Sequence, residues 1–305
     1  MSLGPRLNKF PSLGPHGFHR LSYVEWGEAD NPHIVVCVHG LTRNARDFDE
    51  LARALASKAR VVCLDVAGRG GSDWLEHKED YGFSLYVADA AALLARISPG
   101  STSVKARRFF SAPTPRPRPA IDWVGTSMGG VIGMLLAAQA GSPVRKLLLN
   151  DVGPVVTGVS LQRIGQYVGK SPPFSSMDAA EKYIREVSAT FGPLTDAQWR
   201  HLTVHSVNRQ PDGQYTMAYD PELAAPFRKI THYVDTDMWA FYDLIRCPTF
   251  LIRGAQSDLL TRETAQQMTA RGPHANMAEI PGVGHAPMLM DAAQIALVKD
   301  FLLAH

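Results

Sequence analysis

The sequence predicts an α/β protein with a doubly wound, mostly parallel sheet and a helical segment inserted into it. Short apolar segments alternate with helical patterns along most of the chain, as expected of strands connected by helices. Ile34–Val38 is apolar at every position, which is typical of a strand covered on both faces. At 305 residues and 45% hydrophobic, the chain is long enough for one large core and an insertion.

The elements follow from the hydrophobic periodicity, taken in chain order. Residues 1–16 carry three prolines and predict an irregular lead-in, whereas residues 21–26 alternate apolar and polar side chains, as in a half-exposed edge strand. Further predicted strands are 34–38, 61–65, 121–124, 145–151, 249–253 and 277–280. Predicted helices of the core are 45–57, 84–97, 131–140, 262–270 and 292–303.

Two segments interrupt this alternation. Residues 98–119 are rich in arginine and proline and connect a helix to a strand, at the end of the sheet opposite the strand carboxyl ends. They predict a solvated, extended loop, with a contact to an acidic partner as the alternative. Residues 153–246 read as mostly helical and leave the sheet beside the strand carboxyl ends. The predicted helices of this segment are 161–168, 177–190, 196–207 and 237–245. We therefore expect a core domain of residues 1–152 and 247–305 and a helical cap, or lid, of residues 153–246.

Composition narrows the functional class. The formal net charge of +2 does not indicate binding to nucleic acid or to an anionic membrane. No apolar run reaches about 18 residues, and the first residues lack the apolar core of a signal sequence. Cys37, Cys63 and Cys247 are sparse and odd in number, which favours core thiols over disulfides or metal ligands. The expectation is a cytoplasmic protein with no nucleic-acid or membrane partner, either a monomer or a homodimer.

The strongest local motif is Gly125-Thr126-Ser127-Met128-Gly129-Gly130, between a predicted strand and a predicted helix. A reversal that tight strains its central residue and needs glycines where a Cβ would clash. It would hold the Ser127 hydroxyl clear of the sheet beside a helix N-terminus. The alternative is a glycine-rich turn whose serine merely caps a helix.

A serine nucleophile needs a base and an acid that orients the base. His285 lies in the loop Pro281-Gly282-Val283-Gly284-His285, directly after the last predicted strand. Two aspartates follow strands, Asp258 after residues 249–253 and Asp151 at the end of residues 145–151. We predict Asp258 as the acid, because the Gly153-Pro154 pair after Asp151 indicates a role in steering the chain into the cap.

The remaining site predictions concern the oxyanion and the substrate. Backbone N–H groups of Leu41 and Met128 are the predicted oxyanion donors, and His39 is expected to hold the Leu41 loop in place. Arg43 is a candidate for binding a substrate carboxylate, with a solvent-facing arginine as the alternative. Aromatic residues of the cap, among them Trp239 and Tyr242, could line the substrate pocket or pack within the cap.

Together these residues resemble the α/β-hydrolases, in the branch of meta-cleavage-product hydrolases, enol-lactonases and carboxylesterases. The resemblance is carried by His39-Gly40, Asp65 to Gly68 with Gly70 and Ser72, the Ser127 motif, Asn150 to Pro154, Gly254 with Asp258, and Gly284-His285. It implies that fold, a Ser-His-Asp triad in the chain order Ser127, Asp258, His285, and hydrolysis without metal or cofactor. Meta-cleavage hydrolases usually carry more glycines after the His-Gly pair, whereas Leu41-Thr42-Arg43 follow here, which disfavours cleavage of carbon–carbon bonds.

The sequence thus predicts a serine hydrolase that cleaves a small-molecule carboxylic ester or lactone through an acyl-enzyme. Two alternatives stand beside it: a hydrolase of carbon–carbon bonds in vinylogous diketo acids, and a hydrolase-fold protein that binds a ligand without turnover.

Overall fold

The computed structural model describes residues 4–98, 121–170 and 172–304. The predicted loop 98–119 lies outside these ranges from residue 99 onward. The strands are β1 (Arg6–Gly14), β2 (Gly17–Trp26), β3 (Ile34–Val38), β4 (Arg60–Asp65), β5 (Ile121–Thr126), β6 (Val144–Asn150), β7 (Val155–Val156), β8 (Val207–Arg209), β9 (Tyr215–Met217), β10 (Thr236–Asp237), β11 (Thr249–Gly254) and β12 (Asn276–Ile280). The α-helices are α1 (Asp49–Leu55), α2 (Phe83–Ile97), α3 (Met128–Ala137), α4 (Gly158–Tyr167), α5 (Met177–Val187), α6 (Asp196–Ser206), α7 (Ala225–Arg228), α8 (Trp239–Tyr242), α9 (Arg262–Ala270) and α10 (Ala292–Leu303).

The main sheet has the strand order β1-β2-β4-β3-β5-β6-β11-β12 in the described part of the chain. All neighbours from β4 to β12 run parallel, and β1 and β2 are antiparallel additions at one edge. The predicted doubly wound, mostly parallel α/β fold is confirmed. Its consequence is that β3, β5, β6, β11 and β12 all deliver their carboxyl ends to the same edge.

The amino terminus differs from its prediction. Residues 6–14 form the edge strand β1 rather than an irregular lead-in, and β2 is therefore an inner strand, paired on both sides. Pro11 lacks an N–H donor, which an edge strand tolerates because one of its sides makes no ladder hydrogen bonds. The polar residues and prolines of this segment do not predict a strand, since an exposed edge strand needs no regular apolar pattern.

Two apolar layers cover the faces of the sheet. Alternate residues of β3 point to opposite sides: Val36 and Val38 join the core shared with α2 and α3, whereas Val35 and Cys37 join the core shared with α1 and α10. Cys37 lies opposite Cys63 on the neighbouring strand, and both are free and buried, as predicted for core thiols.

Residues 153–246 contain helices α4 to α8 and two small two-stranded ribbons, β7 with β10 and β8 with β9. α-Helices are the main regular structure in the described residues of this segment, and α8 is much shorter than the predicted helix 237–245. In the described ranges, no helix combines the length and apolar character that a bilayer crossing requires. The division into core and cap domains stays a prediction.

Candidate active site

The turn between β5 and α3 has the strained geometry expected of its sequence. Ser127 has φ 52° and ψ −118°, and its carbonyl accepts the N–H groups of Gly130 and Val131, which starts the helix. A Cβ on Gly125 would lie 2.3 Å from the carbonyl oxygen of Gly129, and one on Gly129 would lie 2.0 Å from that of Val38. The two glycines are therefore required, and the serine side chain points away from the sheet.

Ser127, His285 and Asp151 form a continuous hydrogen-bonded chain. The Ser127 Oγ is 2.9 Å from His285 Nε2, and His285 Nδ1 is 2.7 Å from Asp151 Oδ2. The Asp151 side chain is fully buried, whereas Ser127 and His285 are partly accessible. This is the arrangement in which a histidine can take a proton from a serine while a carboxylate fixes its tautomer.

The prediction of Asp258 as the acid is wrong in this geometry. Its carboxylate pairs with Arg163, with Arg163 Nε 2.6 Å from Oδ2 and Nη2 3.0 Å from Oδ1, and its side chain is 52% exposed. The turn after β11 accounts for the difference: Ser257 N–H bonds back to Gly254 O and sends the next residue outward. Asp151 instead follows β6 directly, with φ 55°, and its side chain meets His285.

The Asp151 carboxylate is held by two further donors. Its Oδ1 accepts the backbone N–H of Gly254 at 2.8 Å, and its Oδ2 accepts the hydroxyl of Ser257 at 2.6 Å. These bonds give both oxygens of the buried carboxylate a hydrogen-bond partner. They also lock the acid to the end of β11, so that β6 and β11 together position it.

The His285 loop is fixed by contacts from both the core and residues 153–246. Thr190 Oγ1 donates to His285 O at 2.6 Å, and Gly284 N–H donates to Thr190 O at 2.8 Å. From the sheet, Asn150 Nδ2 donates to Pro287 O at 2.7 Å. The histidine is therefore oriented by the loop on either side of it, as a general base requires.

The loop after β3 lies against the serine. A Cβ on Gly40 would be 3.6 Å from Ser127 Cβ, so the Gly40–Leu41 backbone runs close to the reactive hydroxyl. Arg69 fixes this loop by donating from Nε to Leu41 O at 2.8 Å and from Nη1 to Ala67 O at 2.6 Å. Met128 is the first residue of α3, so its N–H has no acceptor within the helix.

His39 holds the same loop as a neutral ring. The N–H of Val66 donates to His39 Nε2 at 3.0 Å, so Nε2 carries no proton, and Nδ1 donates to Gly40 O at 2.7 Å. Complete burial lowers the pKa of His39 to about 3. The structural role predicted for His39 is confirmed.

Two cavities of different character meet at Ser127, and Leu41 also lines both. One, of about 110 Å³, includes polar and charged side chains such as Arg43, Arg163 and Tyr167. The other, of about 260 Å³, is lined by apolar and aromatic residues of α3, α4 and the segment around α7, with no charged side chain among its described lining residues. The proposed nucleophile therefore borders both a polar and an apolar cavity.

The chain matches the model of the alpha/beta hydrolase family over residues 35–297. It belongs to that family. The hydrolase is 44% identical to a 3-hydroxybutyrate-oligomer hydrolase of Cupriavidus necator over 308 residues, 99% of both chains. It is 26% identical to an esterase of Mycobacterium tuberculosis over 263 residues, which is 83% of this chain and 76% of the other. The crystal structure of a putative hydrolase from Rickettsia typhi superposes with a TM-score of 0.85 at 29% identity, covering 98% of this chain and 99% of that one.

These similarities confirm the α/β-hydrolase fold predicted for the chain, and with it the predicted enzyme class, a carboxylic ester hydrolase. The predicted roles of Ser127, His285, Leu41 and Met128 stay proposals, supported by the geometry above.

The predicted substrate-binding residues of the hydrolase are arranged differently from expectation. Arg43 lines the polar cavity, but its guanidinium is occupied by Asp47, at 2.6 Å and 2.9 Å, and by Ser206 Oγ at 2.9 Å. Trp239 and Tyr242 line neither cavity. Tyr242 is fully buried with its hydroxyl on Met268 O of α9, and the half-buried Trp239 packs against it. Both therefore pack against the core instead of lining the site.

Sequence reasoning missed three contributors to the site: Arg69, Ser257 and Arg163. Arg69 lies within a glycine-rich stretch that carries the family resemblance, but an arginine there reads as a surface residue, whereas it is fully buried. Ser257 gives no signal, because a serine in a turn is commonplace. Arg163 occupies a helix of residues 153–246, where only the fold shows which face is turned toward the serine.

One cluster has the donor atoms of a metal site. Ligand atoms of Asp49, His201 and His205 lie within 4.8 Å of one another. The guanidinium of Arg46 already binds both oxygens of Asp49, at 2.5 to 3.0 Å, and occupies the place that a cation would need. His201 Nε2 is 3.0 Å from the carbonyl oxygen of Arg46. Arg46 thus supplies the cation at Asp49, and the contact of His201 with Arg46 ties α6 to the segment before α1.

Proposed function

We propose that the chain is a serine esterase that hydrolyses short oligoesters of hydroxy acids of the 3-hydroxybutyrate type, through an acyl-enzyme on Ser127. The hydrogen-bonded chain of Ser127, His285 and Asp151 carries the chemical part of this proposal. The substrate class is supported by the 44% identity, over nearly all of both chains, to a 3-hydroxybutyrate-oligomer hydrolase. Two cavities that both border the serine suit a substrate that extends in both directions from its ester bond.

The first half-reaction forms the acyl-enzyme. His285 Nε2 takes the proton of Ser127 as the Oγ attacks the ester carbonyl, and Asp151 stabilises the imidazolium. The N–H groups of Leu41 and Met128 hold the oxyanion. Collapse of the tetrahedral intermediate breaks the bond to the alkoxide, which leaves with the proton from His285.

The second half-reaction returns the enzyme. A water loses its proton to His285 Nε2 and attacks the acyl carbonyl, and the released Ser127 Oγ takes that proton back. One ester and one water give one acid and one alcohol, so no cofactor is needed for the balance. Residues 153–246 act in this proposal as a cap that closes both cavities over the serine.

Rapid mixing with p-nitrophenyl butyrate tests the chemistry, and chromatography of 3-hydroxybutyrate dimer and trimer digests tests the substrate. We expect a burst of nitrophenol where deacylation is slow, and monomer release from both oligomers. Ser127→Ala should lose about 10⁴-fold or more in kcat, since the nucleophile is removed. Ser142→Ala is the matched control, because Ser142 lies in the turn after α3 and lines neither cavity.

Equal turnover by the native protein and Ser127→Ala would refute the acyl-enzyme. Turnover of aryl butyrate without release of monomer from the oligomers would keep the mechanism and refute the substrate class. A γ- or δ-lactone hydrolysed faster than any oligoester would assign the enzyme to lactones instead.

A further inference from the structure

The ion pair between Arg163 and Asp258 lies beside the proposed nucleophile without taking part in the hydrogen-bonded chain. Arg163 lines the same cavity as Ser127 and His285, whereas Asp258 does not line it. Arg163 is 40% exposed at its side chain, so its guanidinium is accessible to a molecule in the cavity. An arginine held at one edge by a carboxylate keeps further N–H donors of its planar fork for a second anion.

The surroundings of Arg163 are built to receive such an anion. Tyr167 lines the same cavity on the same helix, and burial raises the pKa of its hydroxyl, so it stays a neutral donor. All three guanidinium nitrogens of Arg43, the other arginine of the cavity, are engaged by Asp47, which lines the same cavity, and by Ser206. Asp258 engages Nε and Nη2 of Arg163. The apolar cavity that also borders Ser127 has no charged side chain among its described lining residues. A carboxylate is therefore favoured in the cavity that Arg163 lines.

An oligoester of a hydroxy acid has a fixed polarity. For every ester bond, the acyl half leads to the end with a free hydroxyl, and the alkoxide half leads to the end with a free carboxylate. The negative charge of the substrate thus always belongs to the leaving group. A cation on one side of Ser127 would decide which half of the chain occupies which cavity.

We infer that Arg163, positioned by Asp258, binds the free carboxylate of the leaving half of the substrate and thereby makes the enzyme selective for oligoester acids over neutral esters. The acyl half then occupies the apolar cavity. This inference rests on the proposed function and names the group that orients the substrate at that site. It also gives Asp258 a role as a positioning residue for Arg163.

The test compares two substrates that differ only in charge: the dimer of 3-hydroxybutyrate with a free carboxylate, and the same dimer with a terminal carboxamide. Each has a single ester bond. The native enzyme should show a KM for the acid roughly 10- to 100-fold below that for the amide, as a charge-assisted hydrogen bond supplies. Arg163→Gln should remove this difference by raising the KM of the acid to that of the amide.

Graded variants separate recognition from a general structural effect. Arg163→Lys keeps the charge but not the fork and should retain part of the preference. Asp258→Asn should raise the KM of the acid by roughly 3- to 10-fold and leave the amide unaffected, because Arg163 loses its orientation. Arg200→Gln is the matched control: this arginine of α6 is 48% exposed and paired with Asp178 and Glu181, but it does not line the cavity.

Inhibition of the native enzyme gives a second measurement that needs no variant. The 3-hydroxybutyrate anion should compete with p-nitrophenyl butyrate, and 3-hydroxybutyramide should compete at least 10-fold more weakly. Equal KM values for acid and amide, or an equal loss for both in Arg163→Gln, would overturn the inference while leaving the esterase intact. Failure to hydrolyse any ester would instead refute the proposed function on which it rests.

Discussion

Replacing Asp151 by asparagine discriminates between the two aspartates that follow neighbouring strands. The carboxylate accepts three hydrogen bonds, from Gly254 N–H, Ser257 Oγ and His285 Nδ1. Asparagine has one acceptor oxygen and one NH₂ group, so it cannot accept from both oxygen positions at once. If the oxygen keeps the bond to Gly254, the NH₂ group faces His285.

That change reverses the tautomer of the base. His285 Nδ1 would have to accept the proton of the amide, which leaves the ring proton on Nε2, where it blocks transfer from Ser127. We expect kcat to fall by about 10⁴-fold, which corresponds to about 5 kcal/mol of transition-state stabilisation. Initial rates with p-nitrophenyl butyrate measure the loss, and circular dichroism melting checks that the variant is folded.

Asp258→Asn is the matched control, because the same chemical change is made at an aspartate after the adjacent strand. Its carboxylate contacts Arg163 and is 52% exposed, so kcat with the aryl ester should stay within about 2-fold of the native value. A loss of about 10³-fold or more in Asp258→Asn, together with an active Asp151→Asn, would show that the acid first predicted from the sequence is the functional one.

Three further outcomes follow from other contacts. Arg69→Met removes the hydrogen bond to Leu41 O at 2.8 Å, so kcat should fall by about 10²-fold through a misplaced oxyanion loop, with KM nearly unchanged in steady-state assays. Gly129→Ala should lower the free energy of unfolding, measured in urea, by at least about 3 kcal/mol, since the new Cβ would lie 2.0 Å from Val38 O. Gly82→Ala is the control: the nearest atom to its new Cβ is 4.0 Å away, so the free energy of unfolding should change by less than about 1 kcal/mol. Burial lowers the pKa of His39 to about 3 in the folded protein, from 6.5 in the unfolded chain. Below pH 6.5 the unfolded chain therefore binds a proton at His39 that the folded protein does not bind, so the stability falls as the pH falls. Between pH 6.5 and pH 4.5, the free energy of unfolding of His39→Gln, measured in urea titrations, should therefore fall by about 2 kcal/mol less than that of the native protein. The same pH dependence of stability in the variant and the native protein would contradict a neutral buried ring.

Most of the core could be predicted because elements buried in a doubly covered sheet have a strong apolar pattern in the sequence. The strand Ile34–Val38 and the helices Arg262–Ala270 and Ala292–Leu303 match their predictions at both ends. β1 could not be predicted in the same way, because an edge strand with one solvated side needs no continuous apolar pattern. Helix α8 shows the opposite error, because the sequence predicts a helix over 237–245 and the structure forms a helix only over Trp239–Tyr242.

The site residues that could be predicted are those whose structural requirements appear in the residues next to them in the sequence. The glycines around Ser127 and those before His285 are required by the backbone itself, so they appear in the sequence next to the residues they serve. The partner of His285 depends instead on how two adjacent strands end. Trp239 and Tyr242 depend likewise on which side of a one-turn helix meets α9, and Arg163 on which face of α4 meets the cavity.

The prediction of Asp258 as the acid is wrong for a physical reason that the structure makes visible. Gly153 and Pro154 predict a turn after Asp151, and a turn is present, since Asp151 has φ 55°. That left-handed conformation belongs to few non-glycine residues in the described ranges, and Ser127, at φ 52°, is another. In both cases the reversal of the chain points a side chain into the space above the strand ends. A turn signal directly after a strand of a parallel sheet is therefore compatible with a functional side chain, because backbone strain at that position aims it toward the site.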